Sequence, residues 1–196
     1  MKHGWMRFWA SVSALAIVCA LAGAQSPSAS RSVAKRRVNE FTLAGLRPGI
    51  DRSAAATRRF KEPPTGKPGD GQLVWEDQCR SQSLFLDVDK QGRIQTIRLT
   101  AKTHGGKPEC GEASRSRWAT SNDLAIDDPA SRVLKLYGQP DSRSPSTKDG
   151  QQLELLYYAF DWAGPNVPQV MEVLCTRDKD GKPGQVVEIT LAAASL

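Results

Sequence analysis

The sequence predicts an α+β protein of two tandem repeats, each a short helix followed by a three-stranded antiparallel meander, with the helices packed on one face of the sheet. Three observations point there. Residues 51–63 align without a gap on residues 128–140. Each copy is followed by three runs of alternating apolar residues. The last two runs of each set flank similar turns that begin at Asp89 and Asp178 and carry Gly92 and Gly181.

The elements follow in chain order. Lys2 and Arg7 precede an apolar run over residues 10–21, and Ala22, Gly23 and Ala24 supply a small-x-small cleavage pattern. This reads as a signal peptide over residues 1–24, with a mature start at Gln25. A membrane span would need about 20 apolar residues, more than this run offers. Cys19 would leave with the peptide.

Residues 25–40 are rich in Ser and basic side chains and poor in apolar ones. Too little surface can be buried there to offset ordering entropy, which predicts a flexible arm whose Lys35, Arg36 and Arg37 make at most weak contact with an anionic envelope surface.

Repeat 1 is placed at residues 41–101, a linker at 102–122 and repeat 2 at 123–196. Each repeat opens with an acidic residue, Asp51 or Asp128, suited to cap a helix start. An aromatic, Phe60 or Tyr137, stands three residues before Pro63 or Pro140. The second copy adds Pro129 at the first helical position and Gly138 just past the end, whereas the first has Lys61 at the matching place. Strands are predicted over 73–75, 84–88 and 94–99, and again over 153–160, 170–176 and 186–191. A three-stranded sheet is marginal alone and needs a helix on its apolar face. Two such units could also join edge to edge, leaving the other face to solvent or a partner.

The formal charge of +6 comes from 27 Lys and Arg against 21 Asp and Glu. Six of the basic residues lie within residues 1–37, which hold no acidic residue, so 21 of each sign remain from Val38 onward. A neutral body carries no electrostatic footprint for nucleic acid.

The acidic cap, amphipathic helix and terminal Tyr-Gly-x-Pro, carried here by Asp128, Pro129, Leu134, Tyr137, Gly138 and Pro140, resemble the SmpA/BamE-like and beta-lactamase-inhibitor-protein-like group. Asp51, Phe60 and Pro63 echo the same motif. The resemblance implies tandem helix-plus-sheet organisation over residues 41–191 and a small, exported, non-enzymatic protein that acts by binding other proteins.

Catalytic patterns are lacking. His104 is the single histidine of the predicted mature chain, no G-x-S-x-G elbow accompanies it, and no phosphate-binding Gly-rich loop occurs. Residues 87–92 begin like a calcium loop, but its twelfth position is Arg98 where a bidentate Glu belongs, so a hairpin turn is preferred. No catalytic residue, metal or cofactor is expected.

Cys79, Cys110 and Cys175 remain after cleavage. Cys175 alternates with Met171 and Val173 and reads as a buried strand residue. Cys79 and Cys110 lie near loops and are predicted to pair, closing a loop of about 32 residues that contributes roughly 3–4 kcal/mol.

The candidate contact residues are aromatic. If Tyr157 joins Leu153 and Leu155 in the core, then Tyr158, Phe160 and Trp162 share the opposite face of their strand as a binding surface. The expected function is an exported, non-catalytic protein-interaction module of the periplasm or secreted space. The alternative is a secreted hydrolase or small-ligand binder using a cleft between the repeats.

Overall fold

Alternation of apolar and polar side chains builds most of the strands. In the computed structural model, α1 (Ser53–Phe60) is followed by β1 (Gln72–Asp77), β2 (Gln82–Val88) and β3 (Ile94–Ala101). Next come α2 (Ala130–Tyr137), β4 (Ser142–Lys148), β5 (Gln151–Phe160), β6 (Gln169–Arg177) and β7 (Pro183–Ala193). The structure describes residues 37–66, 69, 71–102, 118–160, 169–177 and 180–193. The predicted signal peptide, most of the arm, His104, Cys110 and Trp162 lie outside them. No helix among the described residues is long and apolar enough to cross a membrane.

The strands form one antiparallel sheet in the order β1-β2-β3-β7-β6-β5-β4. This overturns the expectation of two tandem helix-plus-three-strand repeats: the described residues form a single seven-stranded sheet with two helices, α+β in class. Two features decide it. Strand β3 pairs with β7 from Thr96 opposite Ala192 to Thr100 opposite Glu188, so no boundary separates the halves. The second half also holds a fourth strand, β4, whose sequence SRSPSTK has no apolar alternation. An edge strand with both faces largely exposed needs backbone pairing to β5 and little else, and Pro145 is tolerated there because one side of its backbone has no strand to bond.

One face of the sheet is covered. Leu73 and Trp75 from β1, Leu84 and Leu86 from β2, and Ile97 and Leu99 from β3 are buried against a second layer. Met171, Val173, Ile189 and Leu191 continue that apolar sheet surface across β6 and β7. The second layer combines the helices with irregular chain: Ala56, Ala130 and Val133 from the helices, Leu43 and Leu46 before them, and Leu124 and Ile126 between them. Of the predicted linker, Trp118 packs against this core and Thr120 is buried.

Both predicted caps act differently from expectation. The N-cap residues are Arg52 and Pro129, and neither makes a side-chain cap bond. Asp51 Oδ2 instead accepts the Arg47 N–H at 2.8 Å, and Asp128 Oδ2 accepts the Ala125 N–H at 2.9 Å. Each aspartate therefore closes the turn that leads into its helix.

The β2–β3 turn matches the hairpin reading. Asp89 Oδ1 accepts the backbone N–H groups of Gln91 and Arg93 at 2.9 and 2.8 Å, and Oδ2 accepts Gln95 Nε2 at 3.0 Å. The Arg93 N–H heads the donors that hold this carboxylate below its ordinary pKa. Its oxygens are occupied by the turn itself.

Candidate functional site

Strand parity separates the aromatic residues of β5 as expected, but the core lies on the other side. Tyr158 and Phe160 are buried, at 0% and 3% exposure, while Leu155 and Tyr157 face the uncovered side. Tyr158 and Phe160 lie 5.8 and 6.2 Å from the Tyr137 ring and serve as the seat of α2. Burial raises the Tyr158 phenol to about 12, and its hydroxyl donates to the Gly138 carbonyl at 3.2 Å. These two residues are therefore corrected from contact surface to core. Trp162, their predicted companion, is outside the described residues.

Arg37 reinforces that seat. Its guanidinium stacks 5.2 Å from the Tyr158 ring centre, donates to Asp141 Oδ2 at 2.5 Å, and reaches the carbonyls of Ala159 at 3.0 Å and Gln139 at 2.8 Å. The Arg37 hydrogen bond is the main reason that the Asp141 carboxyl sits below its ordinary pKa. Composition assigned Arg37 to the arm; in the structure, residues 37–40 are part of the folded body.

Glu40 is buried three residues on. Its Oε1 accepts the N–H groups of Phe41, Thr42 and Ser121 at 2.9, 3.1 and 2.8 Å, and also the Ser121 hydroxyl. Its Oε2 accepts Tyr137 Oη at 2.5 Å and Asn122 Nδ2 at 2.9 Å. Burial pushes the carboxyl upward, but the donors from Ser121, Tyr137, Asn122 and Thr42 outweigh it and hold the pKa below the ordinary value. Burial, with the Glu40 charge behind it, drives the Tyr137 phenol far up. Tyr137 stays protonated and donates to Glu40, and it accepts from Thr120 Oγ1 at 2.9 Å. The knot fastens residues 39–42, the segment before α2 and the end of α2 to one another.

The uncovered face is the more accessible surface. Register places Val74, Phe85, Arg98, Thr190, Glu172 and Tyr157 in one row across six strands. Glu76, Ser83, Thr100, Glu188, Leu174 and Leu155 form the next row. Lys148 shows how strongly this face curls. Strands β4 and β3 stand four positions apart, about 19 Å in a flat sheet at the usual spacing. Lys148 Nζ nevertheless bonds Thr100 Oγ1 at 2.6 Å and Glu188 Oε2 at 2.5 Å. Twist and coil therefore fold the β4 edge over this face and make it concave.

The hollow has a volume of about 480 Å³ and is lined by Ser83, Phe85, Arg98, Lys148, Leu174 and Glu188 among others. Arg98 lies 4.7 Å from the Phe85 ring centre. Lys148 is matched by Glu188, and Lys102 by Glu76 at 2.7 Å. Arg98 and Glu172 have no ion-pair partner among the described residues. Sequence reading missed both because alternation shows that they face away from the core, while only register shows which neighbours surround them.

Cys175 is a free, buried thiol, as its alternation suggested, and burial raises its pKa to about 12. Cys79 sits exposed in the β1–β2 turn, and its predicted partner Cys110 lies outside the described residues. No cluster of three or more His, Cys, Asp or Glu suited to a metal occurs among the described residues.

No protein-family model matches the chain, and no curated protein matches it. Among solved structures, the crystal structure of a DUF4309 family protein (YjgB) from Bacillus subtilis subsp. subtilis str. 168 is similar at a TM-score of 0.42 and 14% identity. The match covers 76% of this chain and 83% of that one, and at that score it carries no functional argument. The resemblance read from the Tyr-Gly-x-Pro motif rests on those residues alone.

Proposed function

We propose that this chain is an exported, non-catalytic protein-interaction module and that its contact surface is the concave sheet face. The observation that carries the reading is the pairing of half-buried apolar side chains, Phe85, Leu174 and Tyr157, with two charges of opposite sign that have no ion-pair partner among the described residues. Arg98 and Glu172 are two strands apart in one row, about 10 Å at the usual spacing. A complementary partner segment lays apolar side chains on the hollow, an acidic residue over Arg98 and a basic one over Glu172. Opposed charges at that separation set orientation and partner choice, while the buried apolar area supplies most of the affinity. The disulfide between Cys79 and Cys110 belongs to this proposal, since export places the chain where such bonds persist.

A photo-crosslinking amino acid placed singly at Phe85, Tyr157 or Leu174, and at exposed Thr57 or Lys135 of the helices as controls, tests the surface in cells that export the protein. The expected result is one adduct of defined mass from the sheet positions only, lost on Arg98→Glu and identified by mass spectrometry as a second protein. Equal adducts from the helix positions, or adducts indifferent to Arg98→Glu, would overturn it.

A further inference from the structure

The end of α1 carries a second feature, which shares Glu76 with the rim of the concave face and stands independently of that reading. A depression of about 310 Å³ is lined by the rings of Phe60, Trp75 and Trp118, by the basic Arg59 and Lys61 and by the acidic Glu62, Glu76 and Asp77. A neighbouring one of about 350 Å³ shares Arg59, Phe60 and Trp118 and extends to Thr42, Gly45 and Ser121. Both fall in the size range of small-ligand sites.

The aromatic floor is fixed. Trp75 is buried and donates from its ring N–H to the Glu62 carbonyl at 2.9 Å. Phe60 meets Trp75 at 5.2 Å between ring centres and Trp118 at 5.8 Å, tilted by 59° and 70°. Phe60 and Trp118 are only partly buried, so ring surface is presented to the opening. Neither of these ring pairs is parallel, which leaves no two-sided slot for a flat aromatic ligand. A puckered sugar ring, with C–H groups on one side and hydroxyls at its rim, matches an aromatic platform edged with polar groups.

The charges select among sugars. Glu76 is paired with Lys102 at 2.7 Å and Asp77 with Arg80 at 3.6 Å, and Glu62 is partnered as well. The side chains of Arg59 and Lys61 have no ion pair or hydrogen bond among the described residues. The Arg59 guanidinium lies close over Gly45, which has a backbone φ of +73°. That position lies on the shared wall of the two depressions. A planar guanidinium at that place suits two parallel hydrogen bonds to a carboxylate, and Lys61 adds a point charge beside it.

We infer that the α1 end is a binding site for an acidic saccharide, its ring stacked on Phe60 and Trp118 and its carboxylate held by Arg59. Titration of the mature chain with digalacturonate and with N-acetylmuramic acid, against cellobiose and benzoate, tests this by calorimetry and by ligand-observed NMR. At least one acidic sugar should saturate with a Kd of about 1 mM or tighter and bind about ten-fold tighter than cellobiose. Its ring protons should receive the strongest saturation transfer from the aromatic side chains. Arg59→Gln should abolish the preference over cellobiose, and Trp118→Ala should abolish binding of both. Arg59 is exposed, so its variant retains the fold, and unchanged thermal unfolding checks this for each protein. No saturable binding of either acid, equal binding of cellobiose, benzoate binding as tightly as the sugars, or a folded Arg59→Gln that keeps full preference would each overturn the assignment.

Discussion

The two helices end on the same local pattern and meet different fates. At α1, Phe60 is followed by Lys61 and then by Pro63; at α2, Tyr137 is followed by Gly138 and then by Pro140. Tyr137 is buried at 2% exposure, and its hydroxyl is held between Glu40 and Thr120. Arg37 bridges the turn that follows to β5. Phe60 instead stays partly open beside a hollow and two cations that have no ion-pair partner among the described residues. The difference comes from residues 37–42, which supply Arg37 and Glu40 to the α2 end and nothing comparable to the α1 end. One helix end is thereby used for stability, and the other keeps room for a ligand.

Breaking the knot should have the largest effect. In Glu40→Gln, an amide N–H₂ meets a cage made of donors, and the buried groups left unsatisfied should cost about 3 kcal/mol. For a domain of this size that lowers Tm by about 6–12 °C in a calorimetric scan. The pH dependence has a definite sign. A carboxyl whose folded-state pKa is lowered contributes fully above its ordinary pKa and loses that contribution as the pH falls through the lower, folded value. The wild type should therefore lose stability below about pH 4 more steeply than Glu40→Gln does. Equal acid slopes would show that the cage does not hold an ionised carboxylate.

A smaller loss is expected at the glycine of α2. Gly138 has φ 78° and ψ −159°, a region that other residues hardly enter. A Cβ there meets nothing within 4 Å, so the cost of Gly138→Ala is backbone strain alone, about 1–3 kcal/mol by denaturant titration.

The smallest effect has the opposite sign. Lys61 caps α1 at φ 61°, a left-handed conformation that costs a side-chain-bearing residue more than glycine. Lys61→Gly should raise stability by less than about 1 kcal/mol, because glycine also loses more entropy on folding. A loss instead would show that the Lys61 side chain stabilises the α1 end.

Much of the fold was legible where one residue's chemistry decides the local structure. Alternation marked β2, β3, β6 and β7, and Asp89 with Gly92 marked a hairpin turn. Helix positions were recognisable, though Asp51 and Asp128 close the preceding turns rather than cap. Strand β4 was invisible because an exposed edge strand stores its information in backbone pairing with β5, not in side-chain pattern. For β5, period-two spacing separated Tyr158 and Phe160 from Tyr157 correctly, but spacing is symmetric under exchange of the two faces. Apolar residues stand on both sides of β5, so only the second layer could say which side is the core. Arg37 and Glu40 looked like arm residues for a related reason: their partners lie about 80 to 120 positions away.

By itself the sequence determined the α+β class, the separation of a basic front end from a charge-neutral body, and the local grammar of turns and most strands. These follow from short-range chemistry: steric preference, hydrophobic period and net charge. Tertiary structure alone decided that seven strands share one sheet, that the sheet curls to bring Lys148 over Thr100, and that one helix end is filled while the other stays open. Those outcomes depend on register and on contacts between distant residues, which local sequence period leaves undetermined.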